Sequence, residues 1–275
     1  MKINKIAKAI LLIGLASSLF LGCEDVIKVD LNNVEPRLVI EGVISDRPGE
    51  SQFKISKTVD YFNPSVFPSV SGAEVIVSDN IGNVDTLVET DPGVYTKDGL
   101  IGAIGRTYYS SVKIDSVTYS ATSTLENAIP IDSMKTEYQE GGGIGMEEDQ
   151  GYRLYVYFSD IPDNQDNCRL RVVKNDSLIE YYFLYDDKYS DGNSIEYEYF
   201  NRVFNLGDTL KVDILSMDHQ VYKYFETLYY AVASTEGNEP QLAPANPISN
   251  WSNDALGYFG AFAVRSDTII AGEDM

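Results

Sequence analysis

From residue 36 onward, apolar residues recur at every second position in short runs, and clusters of glycine, proline, asparagine and aspartate separate the runs. Successive side chains of a strand point to opposite faces, so this alternation marks half-buried strands and argues against helices. Leu38, Ile40 and Gly42 share one face, with Val39, Glu41 and Val43 on the other. Phe53 and Ile55 alternate with Lys54 and Ser56, and further β-rich runs cover 73–78, 93–96, 107–114 and 117–122. Asp46-Arg47-Pro48-Gly49, Ser71-Gly72, Asn80-Ile81-Gly82-Asn83 and Asp91-Pro92-Gly93 supply the turns. Short strands at this spacing predict that residues 36–126 form an immunoglobulin-like β-sandwich, in architecture only, since the paired cysteines of antibody domains are missing.

Residues 127–150 read as a boundary. Ile129-Pro130-Ile131-Asp132 leads toward a strand, and Gly141, Gly142, Gly143 and Gly145 run into Glu147, Glu148 and Asp149 as a flexible acidic loop. Strand patterns then resume at 152–158, 169–173, 181–185, 196–204, 210–215 and 257–265. One helix is expected near 218–234. Val221, Phe225, Leu228 and Val232 recur there at helical spacing, and Asp218 stands as its N-cap. The chain is therefore expected to be mainly all-β, with an immunoglobulin-like sandwich followed by a second β-rich domain, 127–275, with one packed helix.

The N-terminus carries a different signal. Lys2, Lys5 and Lys8 precede an apolar stretch at 9–21, with no acidic residue before Glu24. That charge-then-apolar order predicts a signal peptide over 1–22. The stretch falls short of the roughly 20 apolar residues that a membrane span needs. Phe20-Leu21-Gly22-Cys23 resembles the bacterial lipobox, which makes Cys23 the predicted lipidation site and 23–35 a lipidated tether. Two or more acyl chains anchor a protein stably where one does not. Glu24 and Asp25 directly after Cys23 resemble a surface-export signal of Bacteroidetes lipoproteins.

Charge removes one class of function. The chain carries a formal net charge of -21, and beyond residue 22 it holds 18 basic against 42 acidic residues. Such a surface repels polyanions, so no nucleic-acid role is expected. Cys23 and Cys168 are the two cysteines, and acylation of the first leaves no intramolecular disulfide. Stability must then come from the core.

Little catalytic chemistry is legible. His219 is the one histidine and begins the helix, a position suited to structure. No nucleophile elbow and no histidine pair at metal spacing appear, so neither an enzyme nor a metal or cofactor site is predicted. Arg169 and Arg171 flank Cys168, but a lone cysteine on a strand reads first as a small core residue. Asp186, Asp187, Asp191 and Asn193 crowd the loop 186–193, whose spacing departs from that of an EF-hand and which Lys188 interrupts; it reads as a solvated turn. Aromatic residues are the more suggestive feature, because tyrosine and tryptophan serve both β-cores and binding surfaces. Tyr185, Tyr189, Tyr197, Tyr199 and Trp251 are the candidate ligand-binding residues.

Several landmarks together point to a family. They are Cys23-Glu24-Asp25-Val26-Ile27-Lys28-Val29-Asp30-Leu31, Pro36-Arg37-Leu38-Val39-Ile40-Glu41-Gly42 and Ser71-Gly72-Ala73-Glu74-Val75. Pro92-Gly93-Val94-Tyr95, Ile129-Pro130-Ile131-Asp132-Ser133 and Asn246-Pro247-Ile248-Ser249-Asn250 follow, the last leading into Ala255-Leu256-Gly257-Tyr258-Phe259. In this order they resemble the Bacteroidetes lipoprotein family called domain-of-unknown-function family 4249, over nearly the whole mature chain. The resemblance implies an outer-membrane, lipid-anchored and surface-exposed protein acting as a binding accessory of a TonB-dependent receptor. It supplies no catalytic residues. A structural or adhesive surface lipoprotein is the alternative.

Overall fold

The computed structural model describes residues 35–59, 67–140, 150–162, 164–188, 192–235 and 245–273. The predicted signal peptide, Cys23, most of the tether, the glycine loop at 141–145, Tyr189 and Asp191 lie outside them. Among the described residues the fold is mainly β with one long helix: two β-sandwiches joined through a shared strand.

In the first sandwich, one layer pairs β1 (Leu38–Ser45), β2 (Gln52–Lys57) and β5 (Val94–Thr96). The other pairs β3 (Glu74–Asp79), β6 (Thr107–Ile114) and β7 (Val117–Thr124). β4 (Val84–Asp91) belongs to both, pairing β3 through its first half and β5 through its second. Sequence alternation does not reveal β4, because only Leu87 of its eight residues turns into the core. Ile40, Ile44, Phe53, Ile55, Val75 and Val112 form that core, as the period-two pattern requires. Gly42 sits between Phe53 and Phe259 in the register, and their rings stack over it at 5.6 Å. A Cβ at Gly42 would lie 2.6 Å from the Phe53 ring, so only glycine leaves room for the stack. Burying each such ring contributes about 2 kcal/mol.

Phe259 comes from the far end of the chain. β14 (Leu256–Ile270) runs parallel to β1 through 256–262, then antiparallel to β13 (Thr209–Ser216) through 263–270. Residues 36–126, expected to form a sandwich by themselves, are thus completed by a strand from the second half. Trp251, Ala255, Phe259, Ala261 and Ala263 belong to the first core. Asp46 marks the point where β14 changes partner. Its backbone N–H donates to Phe262 O, and its carboxylate accepts the Val264 N–H.

The second sandwich places β13, β10 (Asn167–Lys174) and β11 (Ser177–Asp186) against a three-stranded sheet. That sheet orders β12 (Ser194–Phe204), β9 (Gly151–Ser159) and β8 (Ile131–Gln139). Leu154, Phe158, Leu170, Ile214 and Phe204 fill the space between. Because β14 links β1 to β13, both cores lie on one side of a continuous eleven-stranded sheet.

The helix α1 (His219–Thr235) covers the opposite face of that sheet at the seam. Asp218 caps it as expected: Oδ1 accepts the N–H groups of Gln220 at 2.9 Å and Val221 at 3.0 Å. Oδ2 accepts the Ser123 hydroxyl at 2.5 Å and the Thr124 N–H at 2.9 Å, tying the helix start to β7. A cap of this kind contributes about 1 kcal/mol. Val221, Tyr222 and Phe225 pack inward, whereas Val232 of the expected apolar stripe is exposed.

Candidate functional site

Strand alternation sends every second residue of the central sheet away from the cores. Val43, Leu215, Phe262 and Val264 therefore meet the underside of α1, against Val221 and Phe225. The helix does not reach the turn at 46–50, and a groove of about 430 Å³ remains between them. Phe225, Tyr258 and Phe262 line it together with Arg169 and Arg171 of β10. The aromatic wall is braced internally: the Phe225 and Tyr258 rings lie 5.0 Å apart, and Tyr258 meets Phe262 edge-on at 6.3 Å. The Arg169 guanidinium sits 4.9 Å over the Phe225 ring, a cation–π contact that joins the wall to the charged floor.

Asp213 organises the charge beside the groove. It is fully buried on β13, and the Arg171 Nε and Nη2 both donate to its Oδ2, at 3.0 and 2.6 Å. Lys211 Nζ stands 3.3 Å and Arg47 Nη1 3.7 Å from its Oδ1, which also accepts the Ser266 hydroxyl. Burial opposes the Asp213 charge, but the Ser266 hydroxyl and the Arg171 guanidinium outweigh it and hold the carboxyl below its ordinary range. Ser266 also accepts from Arg47 Nη2 at 2.7 Å, which fixes that guanidinium at the rim. The turn carries two acids: Glu50 accepts the Ser45 hydroxyl at 3.1 Å, and Asp46 is paired with Arg265 at 2.7 Å. A second, more apolar hollow of about 390 Å³ lies by Val39, Lys54, Phe67 and Val94.

The aromatic residues singled out from the sequence are placed elsewhere. Tyr185, Tyr197 and Tyr199 come together, but inside the second core, at 8, 5 and 2 % exposure. Tyr185 packs edge-on against Phe158 at 5.3 Å, and Tyr199 lies 5.7 Å from Phe204. Trp251 is buried in the first core, apart from them. These four side chains fill cores and do not line the groove. Cys168 is fully buried, and burial pushes its thiol far above the ordinary range, as suits a small core residue. His219 is exposed, stacks on Tyr222 and faces Asn167 at 3.4 Å. Among the described residues, no group of three or more His, Cys, Asp or Glu side chains is placed to hold a metal, and no helix is long and apolar enough to cross a membrane.

Sequence reasoning met Arg169 and Arg171 only as neighbours of Cys168 and passed over Asp213. The readable signal was positional: charged residues at alternate positions of two strands otherwise built from core residues, Arg169 and Arg171 in one and Lys211 and Asp213 in the other.

A family model described as "Domain of unknown function (DUF4249)" matches residues 24–268. No curated protein matches the sequence. Among solved structures, the crystal structure of the chicken CNTN1 FN1-FN3 domains aligns with 66 % of this chain at 10 % identity and a TM-score of 0.26. The alignment spans 60 % of that chain.

Proposed function

Because the chain belongs to the DUF4249 family, whose function is open, we propose that it is a non-enzymatic binding lipoprotein of a Bacteroidetes cell envelope. In this reading Cys23 carries the lipid anchor, the protein sits on the outer membrane with its sandwiches exposed, and it serves a TonB-dependent receptor by holding a ligand or partner. The groove under α1 carries the reading. Binding sites combine apolar and aromatic walls with a few fixed polar groups, and the Phe225–Tyr258–Phe262 wall with Arg169 and Arg171 has that composition on a rigid sheet. The signal sequence and the residues around Cys23 support the anchor.

The adhesive alternative would use strand addition at an open sheet edge. β11, β8 and β12 also end their sheets, whereas the β7 edge is taken up by residues 250–253. Ser252 N–H donates to Ser120 O at 2.9 Å, and the Asn250 and Asn253 amides donate to Thr122 O and Thr118 O.

The test is purification of the native protein from outer membranes in mild detergent, with mass spectrometry of the partners and of Cys23. A stoichiometric TonB-dependent receptor and an acylated Cys23 are expected. An unmodified Cys23 removes the anchor, and isolation as a lone species removes the transporter partnership.

A further inference from the structure

We propose that the groove under α1 binds a small organic carboxylate whose body is apolar and flat, with the carboxylate on the arginine side and the body against Phe225, Tyr258 and Phe262. This rests on the binding reading above and names the class of ligand.

Charge is the first argument. The chain has twice as many acidic as basic residues, yet Arg47, Arg169, Arg171 and Lys211 gather at this one place, with Asp213 and Glu50 as the acids beside them. Asp213 is already matched by Arg171, whose Nε and Nη2 both donate to its Oδ2. Arg47 and Lys211 add charge beyond what that carboxylate requires. Cations held this close repel one another, and an anion in the groove relieves the repulsion. All three partners of Asp213 keep solvent access, with side chains 27–42 % exposed, so their charge is felt in the groove and not only in the interior.

Shape and chemistry narrow the anion. A guanidinium fork matches the two oxygens of a carboxylate or phosphate. The walls are aromatic and aliphatic: Phe225, Tyr258, Phe262, Leu215 and Val264. Phe225, Phe262 and Val264 show only their edges, at 2–4 % exposure, so the half-buried Tyr258 and Leu215 offer most of the apolar surface that an arylalkyl or aliphatic body would cover and a bare inorganic anion would not, at about 25 cal/mol per Å². The volume of about 430 Å³ suits a small molecule or the last two residues of a peptide. Both sources share the carboxylate-on-apolar-body chemistry.

The experiment titrates the full mature chain by calorimetry with 3-phenylpropionate and, separately, with acetyl-Ala-Phe. The primary amide of each serves as the neutral partner. At least one acid is expected to bind at least tenfold more tightly than its amide and to weaken as salt rises. Arg169→Glu and Lys211→Gln should each reduce the affinity for the acid, Arg169→Glu by tenfold or more, with the thermal unfolding midpoint used to show that each variant folds. Preference for the free acid assigns the site to small metabolites, and preference for the peptide assigns it to chain ends. Equal binding of acid and amide, or no binding of either acid at millimolar concentration, overturns the ligand class. If a receptor still co-purifies in that case, the binding-lipoprotein reading stands without it; if an acid binds and no receptor is recovered, the ligand class stands alone.

Discussion

The Trp251 indole N–H donates a 2.9 Å hydrogen bond to the main-chain carbonyl of Ile40, joining positions 211 residues apart inside the first core. Trp251 is the one tryptophan of the chain, so its fluorescence reports on this junction alone. Trp251→Ala removes the ring that packs against both members of the Phe53–Phe259 stack and takes the indole hydrogen bond from the Ile40 carbonyl. It should cost about 3–5 kcal/mol by urea denaturation. In the unaltered protein the emission should shift to the red in the same transition that abolishes the β-sheet circular dichroism. An emission change that precedes that transition would show the junction opening separately.

Gly257 has φ of 90° where β14 begins to pair with β1, and a Cβ there would collide with the Ile40 backbone carbonyl. Gly257→Ala combines an unfavourable φ with a clash that no side-chain rotation relieves. A loss of about 2–3 kcal/mol is expected. Gly49, with φ of 79° but open space around it, isolates the backbone part. Gly49→Ala should cost only about 1 kcal/mol, and equal losses at the two sites would refute the steric account.

Removing the Asp213 carboxylate leaves the partly exposed Arg171, Lys211 and Arg47 without their common anion. Asp213→Ala should destabilise the fold by about 1–3 kcal/mol. Lys211→Gln, at the exposed rim, should cost less than about 1 kcal/mol. A double-mutant cycle between Asp213 and Arg171 measures the coupling directly, and additive losses would deny it.

The carboxyls of Asp160 and Asp166 are both buried beside each other. Burial and the facing Asp160 raise Asp166 to about 6, against the hydrogen bonds from the Ile161 N–H and the Asn164 amide. The folded state therefore keeps a proton between about pH 4 and 6 that the unfolded chain has released. Through this pair, stability falls as pH rises across that window and is level above it. Asp160 Oδ2 accepts the Gly192 N–H at 2.7 Å, while its buried Oδ1 has no hydrogen-bond donor among the described residues. In Asp160→Asn the amide oxygen keeps Gly192 and the amide nitrogen supplies a donor to Asp166. The unfolding temperature at pH 7 should rise by a few degrees, and its decline between pH 4 and 6 should flatten. An unchanged slope would exclude the pair as its source.

What the sequence revealed follows from how local each signal is. The strands at 107–114 and 169–173 and the helix capped by Asp218 were legible because their apolar periods lie within a few neighbours. β4 was hidden because it turns Leu87 alone into the core. The parallel pairing of Ile40 with Gly257 leaves no trace at either position beyond ordinary strand residues and a glycine. The tyrosines misled for a physical reason. A phenol suits a wet interface and equally a sandwich interior, and Tyr185, Tyr197 and Tyr199 take the interior. The groove stayed out of sight because its parts come from β10, β13, β14, the turn at 46–50 and α1, and only the folded sheet assembles them.

The shared strand also sets an order of events in time. Synthesis runs from the N-terminus, so β1 through β7 exist long before β14, and the sheet partner of Val39–Ser45 on that side is the last strand made. Until residue 262 is available, the half made first keeps an open strand edge beside an unfinished core, the kind of surface that aggregates. Closing it requires contacts of very long sequence separation, which makes folding slow. Protection of the β1 amides from hydrogen exchange should therefore appear late in refolding, together with that of β14, and a chain stopped before residue 256 should be bound by chaperones at the open β1 edge.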